Sequence, residues 1–366
     1  MAMEAYTLAP VFAHDQRALR EYDALCEASG IRRDAGLEEI LSLRNAEAEL
    51  VAAGGICGKS LRSLVCREDL RGEGLMNQLV SALISRLAER GIFHVFLWGK
   101  AEYLELYRNL GFFLIESASD RMVFMENKAD AFERYLARQE EEAEICALPW
   151  MQAGLKQEGL RQAALVMNLN PITRGHLQLI EETAGRFDLT HLFLLSEDRS
   201  FFSTRERKDM LLAAVRDIPR LCLHETGDYL ISASTFPSYF LKSKDEATVL
   251  QAELDAKIFI RLARRLNLTS RVLGSEPFSE LTRQYNAQLQ RLLPPAGINC
   301  EIVPRSVDEE GRPISAGRIR AALKAGDFNL AQKLAPASSR PWLTPEYLAE
   351  RLAHVAGEGE AQARNG

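Results

Sequence analysis

Five residues within a span of nine, Asn168, Asn170, Thr173, Gly175 and His176, bring together two carboxamides, a hydroxyl, a glycine and an imidazole. Such side chains donate hydrogen bonds to oxyanions, and a helix opening beside a glycine-containing turn adds backbone N–H groups and a partial positive charge that favour phosphate. A second group, Arg71, Gly72 and Gly74, places a cation beside glycines that let the backbone approach a pyrophosphate. Ser315 and Arg320 form a third, at the opening of another helix. Gly274, Ser275 and Glu276 form a fourth, directly after an apolar run.

The elements around these residues follow from hydrophobic spacing. Residues 163–167 are a short apolar run that reads as a buried parallel strand, and Leu177, Ile180 and Ala184 fall at helical spacing. Between them Asn168, Asn170, Pro171 and Gly175 end the strand and permit an unusual backbone, so a strand–turn–helix unit with His176 at the helix start is expected. Four more strands are expected at 192–195, 221–224, 271–274 and 301–304, each followed by a polar cluster. Alternating strands and helices predict a doubly wound parallel sheet, with those clusters converging at its carboxyl edge.

The first third of the chain reads as a separate α/β module. Residues 38–50 are mostly polar and helical in propensity, and 51–57 and 60–66 read as a strand pair around Gly58-Lys59. The Arg71–Gly74 group then opens a helix with Leu75, Leu79, Leu83 and Leu87 in one stripe. A strand at 93–98 and a short helix at 103–110 follow, the latter ending in Gly111-Phe112. The resulting division is 1–128 for the first domain, 129–160 for a helical linker, 161–343 for the second domain, and 344–366 for a C-terminal helix and frayed tail. Pro149 is expected to interrupt the linker helix.

At each group a plainer reading stands beside the functional one. Thr173 can be an N-cap and His176 a surface histidine; Gly72 and Gly74 can form an ordinary turn; Tyr107 can be a core aromatic or a contact to a thiol; Arg320 can be a helix-surface arginine.

Composition excludes some classes. With 366 residues, 47% of them hydrophobic, the chain can build two or three ordinary cores, and a net charge of -6 gives no global basic surface for nucleic acid. The six cysteines lack paired metal-site spacing, so buried free thiols are expected. No signal peptide and no membrane-length apolar run is present, which predicts a cytoplasmic protein without a membrane partner.

The segment Asn170-Pro171-Ile172-Thr173-Arg174-Gly175-His176 resembles the nucleotidyltransferase superfamily, whose signature is a proline followed by H-x-G-H, with Thr173 in place of the first histidine. Ile314-Ser315-Ala316-Gly317-Arg318-Ile319-Arg320 is similar to that superfamily's late I-S-S-x-x-x-R motif, except for Gly317. Arg71-Gly72-Glu73-Gly74 and Leu106-Tyr107-Arg108-Asn109-Leu110-Gly111-Phe112 resemble the GNAT acetyltransferase fold. A GNAT-like module ahead of a T-x-G-H module, with residues 226–240, Gly274-Ser275-Glu276-Pro277-Phe278, Thr282 and Tyr285-Asn286, resembles the citrate lyase ligase family.

The resemblance implies an N-terminal GNAT-like α/β domain followed by a Rossmann-like doubly wound nucleotidyltransferase domain. It implies that His176, Thr173 and Arg320 are catalytic, and that Asn168, Asn170, Gly175, Gly274, Ser275, Glu276 and Ser315 hold ATP. Arg71, Gly72 and Gly74 would cradle a coenzyme A pyrophosphate. The implied reaction uses ATP and Mg²⁺ to convert acetate to acetyl-AMP, then acetylates the thiol of the CoA-derived group on the acyl carrier subunit of citrate lyase. Two other functions remain open: an adenylyltransferase acting on a phosphorylated acceptor such as phosphopantetheine, and a non-catalytic CoA- or nucleotide-binding module.

Overall fold

Apolar runs in the first third of the chain assemble one mixed sheet. Its strands are β1 (Thr7–Pro10), β2 (Glu39–Arg44), β3 (Leu50–Cys57), β4 (Ser60–Cys66), β5 (Phe96–Lys100), β6 (Phe113–Ala118) and β7 (Met122–Glu126), in the order β1-β2-β3-β4-β5-β7-β6. Neighbours are antiparallel except β4 and β5, which run parallel and pair only at Ser60↔Phe96 and Leu61↔Leu97. Helices α1 (Gln16–Ala28), α2 (Leu75–Glu89) and α3 (Leu104–Asn109) accompany the sheet. In α2 the expected stripe of Leu75, Leu79, Leu83 and Leu87 is buried in the core with Leu61 and Leu97, each leucine contributing about 1.5–3 kcal/mol.

This computed structural model describes residues 6–147, 159–196, 201–230, 236–237, 239, 244–275 and 280–351. The chain forms two units, Met1–Tyr135 with Ala233–Ile258, and Leu136–Ser232 with Phe259–Gly366. The returning segment of the first unit is tied in by specific bonds. Lys257 donates to the Ser117 carbonyl at 2.9 Å, Glu253 accepts the Ser119 N–H at 2.8 Å, and Tyr239 is buried.

The second unit holds β8 (Gln162–Met167), β9 (Leu189–Leu194), β10 (Leu221–Glu225), β11 (Ser270–Gly274) and β12 (Asn299–Val303). All are parallel, in the order β10-β9-β8-β11-β12. Strand order reverses between β8 and β11, so a crevice lies outside the carboxyl ends of those two strands. Helices α5 (Arg174–Arg186), α6 (Thr204–Val215), α8 (Glu280–Leu292), α9 (Ala316–Lys324) and α10 (Phe328–Leu334) belong to this unit, while α4 (Ala131–Ala147) and α7 (Lys244–Leu266) each contain a unit boundary. Leu165, Ile172, Ile180, Leu192 and Ile319 meet in its core.

Three expectations are corrected. Residues 39–44 form β2 rather than part of a helix, because Ile40, Leu41 and Leu43 are buried and the backbone pairs with β1 and β3, which outweighs a polar segment's helix propensity. The strand expected at 93–98 begins at Phe96. Cys146 and Cys222 are not free thiols but form a disulfide between α4 and β10, while Cys26, Cys57 and Cys300 are buried thiols and Cys66 is half-buried. Spacing in sequence could not show the pair, whose partners stand 76 residues apart. Pro149, Glu197, Ser200, Glu276, Pro277 and the tail after Arg351 lie outside the described residues. Among the described residues, no helix is long and apolar enough to cross a membrane.

Candidate active site

The turn after β8 is built around a buried cation. Arg207, fully buried on α6, donates to the Asn168 carbonyl at 2.7 Å, the Asn168 Oδ1 at 2.9 Å, the Leu195 carbonyl at 2.8 Å and the Thr204 Oγ1 at 2.9 Å. A guanidinium with several fixed donors suits this role, because it can meet oxygens from the turn, the end of β9 and α6 at once. Leu169, next in the turn, is buried at φ +52°, a left-handed conformation that a branched residue adopts only when its surroundings impose it. Asn170 is committed too: its Oδ1 accepts the Phe202 N–H at 3.0 Å and its carbonyl accepts from Arg320 at 2.5 Å. Asn168 and Asn170 therefore shape the turn through their oxygens.

Thr173 and His176 close α5 reciprocally. The buried Thr173 hydroxyl accepts the His176 N–H at 3.1 Å, and the His176 Nδ1 accepts the Thr173 N–H at 3.1 Å. A neutral ring that accepts at Nδ1 carries its proton at Nε2, leaving that N–H as the donor. Burial, reinforced by Arg305, lowers the imidazole pKa to about 4, so the ring is neutral near pH 7.

Gly175, His176, Gly274, Arg305, Ser306 and Ile314 line a cleft of about 40 Å³ beyond β8, β11 and β12. Ser275 adjoins it, with its Oγ accepting the Arg305 N–H at 2.9 Å. Asn286 on α8 fixes the Gly274 carbonyl at 3.3 Å. Ser315 caps α9 by accepting the Arg318 N–H at 3.2 Å, and Arg318 donates to the Pro313 carbonyl at 2.8 Å and to Asp308 at 2.7 Å. Desolvation opposes ionisation of Asp308, yet hydrogen bonds from Arg318 and the Arg312 backbone hold its pKa down at about 2. Arg320, on the same helix, has its pKa lowered by desolvation.

The tertiary structure thus brings Gly175, His176 and Gly274 into one cleft, with Ser275 joined to it through Arg305, while Ser315 caps α9 and Arg320 reaches the Asn170 carbonyl. Arg305 was missed, although an arginine directly after a strand at the carboxyl edge was a readable signal. Arg318 was also missed as the partner of Asp308. What the arrangement offers is a set of hydrogen-bond donors and cations at a helix N-terminus, suited to polyphosphate.

A second candidate site lies within the first unit. Gly72 at φ +93° and Gly74 at φ +81° join β4 to α2, both in a region that disfavours side chains. They help line a cavity of about 330 Å³ with Leu64, Cys66, Arg71 and Tyr107. Arg71 stands 5.6 Å from the centre of the Tyr103 ring. Tyr107 is a buried core aromatic that also borders the cavity, and burial pushes its hydroxyl pKa up.

Comparison with known proteins bears on both units. The family described as citrate lyase ligase C-terminal domain matches residues 162–343, and that of FR47-like protein matches residues 46–121. The citrate (pro-3S)-lyase ligase of Escherichia coli is 33% identical over 355 residues, covering 96% of this chain and 96% of that one. Its counterpart from Klebsiella pneumoniae is 33% identical over 309 residues, covering 83% of this chain and 86% of that one. The match to a solved acetyltransferase of GNAT family from Staphylococcus aureus covers 34% of this chain and 100% of that one, at 12% identity and a TM-score of 0.29.

Proposed function

The chain belongs to the citrate lyase ligase family, and from that premise we propose that it joins acetate to the thiol of the CoA-derived group on citrate lyase's acyl carrier subunit, using ATP. The near full-length relationship carries this reading, because it spans both units and not the nucleotidyltransferase turn alone.

In the first step an acetate oxygen bonds to the α-phosphorus of ATP as the bond to the pyrophosphate oxygen breaks. The chain's part is to position the triphosphate and stabilise the charge moving onto pyrophosphate. His176 serves as a neutral donor through Nε2, the N-termini of α5 and α9 supply backbone N–H groups, and Arg305 and Arg320 supply positive charge. No protein nucleophile is required. In the second step the carrier's thiolate attacks the acetyl carbonyl, the bond to the phosphate oxygen breaks, and AMP leaves. Among the described residues no group of three or more histidine, cysteine or carboxylate side chains is placed to hold a metal ion, and no step is assigned to Mg²⁺.

The cavity of the first unit is read as the berth of the carrier's arm, with Gly72 and Gly74 beside its pyrophosphate and Arg71 supplying charge. Incorporation of labelled pyrophosphate into ATP tests the first step. Exchange that needs acetate supports the ligase; exchange that ignores acetate but needs phosphopantetheine overturns it in favour of an adenylyltransferase.

A further inference from the structure

The pairing of β4 with β5 ends abruptly. Ser60 faces Phe96 and Leu61 faces Leu97, and the Phe96 N–H donates to the Lys59 carbonyl at 2.9 Å. In a parallel ladder of this register, the next rung after the Leu61–Leu97 pair runs from the Ser63 N–H to the Trp98 carbonyl. A phenol occupies that rung. The Tyr239 hydroxyl donates to the Trp98 carbonyl at 2.9 Å and accepts the Ser63 backbone N–H.

Independent contacts fix the phenol there. The Tyr239 carbonyl accepts the Arg32 N–H at 2.7 Å, and Phe236 packs edge-on against Trp98 with ring centres 5.9 Å apart. Neighbouring backbone groups also meet tyrosines: Tyr22 donates to the Ser63 carbonyl at 2.7 Å, and the Tyr107 hydroxyl accepts the Lys100 N–H. Two hydrogen bonds in series replace one, which separates the strands by about one further hydrogen-bond length, roughly 3 Å. The cavity starts where the ladder stops, with Leu64, Val65 and Cys66 on the β4 side and Tyr107 beyond Trp98.

We propose that Tyr239 is the wedge that keeps β4 and β5 apart and thereby keeps the arm's cavity open. It is a positioning residue of the thiol-transfer step, supplied to the first unit from 141 residues beyond Trp98. The ligand, an extended amide-bearing chain ending in a thiol, rests on the reading of this cavity given above.

The test uses the full chain, with Tyr239→Phe and Tyr239→Ala. Amide hydrogen exchange is followed across Ser60–Cys66 and Phe96–Lys100, and dephospho-CoA binding is measured by calorimetry. Tyr239→Phe keeps the ring but not the rung, so the Ser63 amide exchanges faster while dephospho-CoA affinity stays within about threefold of wild type. Tyr239→Ala lets the strands pair directly, so Ser63 stays protected and affinity falls at least about tenfold, with acetate-dependent pyrophosphate exchange retained. Wild-type affinity in Tyr239→Ala, or unchanged Ser63 exchange in Tyr239→Phe, overturns the wedge. Failure of the wild-type chain to bind dephospho-CoA overturns the reading of the cavity instead; hydrogen exchange, which needs no ligand, still decides the wedge.

Discussion

His176 and Thr173 hold each other: the imidazole Nδ1 accepts the Thr173 N–H and the Thr173 hydroxyl accepts the His176 N–H, both at 3.1 Å. The position that holds the first histidine in H-x-G-H proteins is used here to orient the second. Thr173 is thus the N-cap that its residue type allowed, and through that bond it fixes which ring nitrogen of His176 carries the proton.

This relationship predicts a neutral His176 in the unliganded chain. Its pKa of about 4 lies below the ordinary value of 6.5, so the unfolded state binds the proton more readily. The associated stability is present above pH 6.5 and declines as pH falls toward 4. An NMR titration of the ring should show the low midpoint, and ATP should raise it, since a polyphosphate favours the charged form. His176→Ala should reduce acetate-dependent pyrophosphate exchange by about 10²–10³-fold, the scale seen when one preorganised donor is removed.

Arg207→Lys should behave as a loss of the turn rather than a mild change. A lysine ammonium cannot reproduce the fork that meets Asn168 twice, Leu195 and Thr204. Urea unfolding should show a loss of about 3 kcal/mol, as expected when hydrogen bonds to a buried charge are broken, and pyrophosphate exchange should fall with it.

Gly72→Val and Gly74→Val should separate the two half-reactions. Nothing stands within 4 Å of the Cβ position at either glycine, so the cost comes from positive φ and not from crowding. That cost is about 1–2 kcal/mol per residue and displaces the backbone N–H groups beside the cavity. Acetylation of the carrier thiol should fall while acetate-dependent pyrophosphate exchange stays near wild type; equal loss of both would remove the arm from this cavity.

Gly317→Ser should be tolerated and can improve ATP binding. An added Cβ would stand 3.8 Å from the Ser315 Oγ and 4.0 Å from Arg320, ordinary contact distances. One extra hydroxyl donor contributes about 1 kcal/mol, so the KM for ATP should drop by up to about fivefold without loss of thermal stability.

Local chemistry made much of this protein legible in its sequence. Short apolar runs and helical stripes identified β8, α2 and the remaining strands of the parallel sheet, because period and burial are properties of adjacent residues. Turn residues and glycines then marked the two candidate regions, since they show where a backbone must bend or can approach a ligand. The tertiary structure alone decided how those residues are used. Propensity misread β2, whose conformation is set by strands on either side. Nothing in the spacing of Arg207 or Tyr239 indicated that they would hold a turn or fill a ladder rung, and the place of Arg305 after a strand pointed to the sheet's carboxyl edge but not to the histidine whose pKa it lowers. The same holds for the bond between Cys146 and Cys222. Each depends on burial and on backbone groups brought close only by folding, where an unpaired donor or a desolvated charge must find its partner at whatever distance along the chain that partner lies.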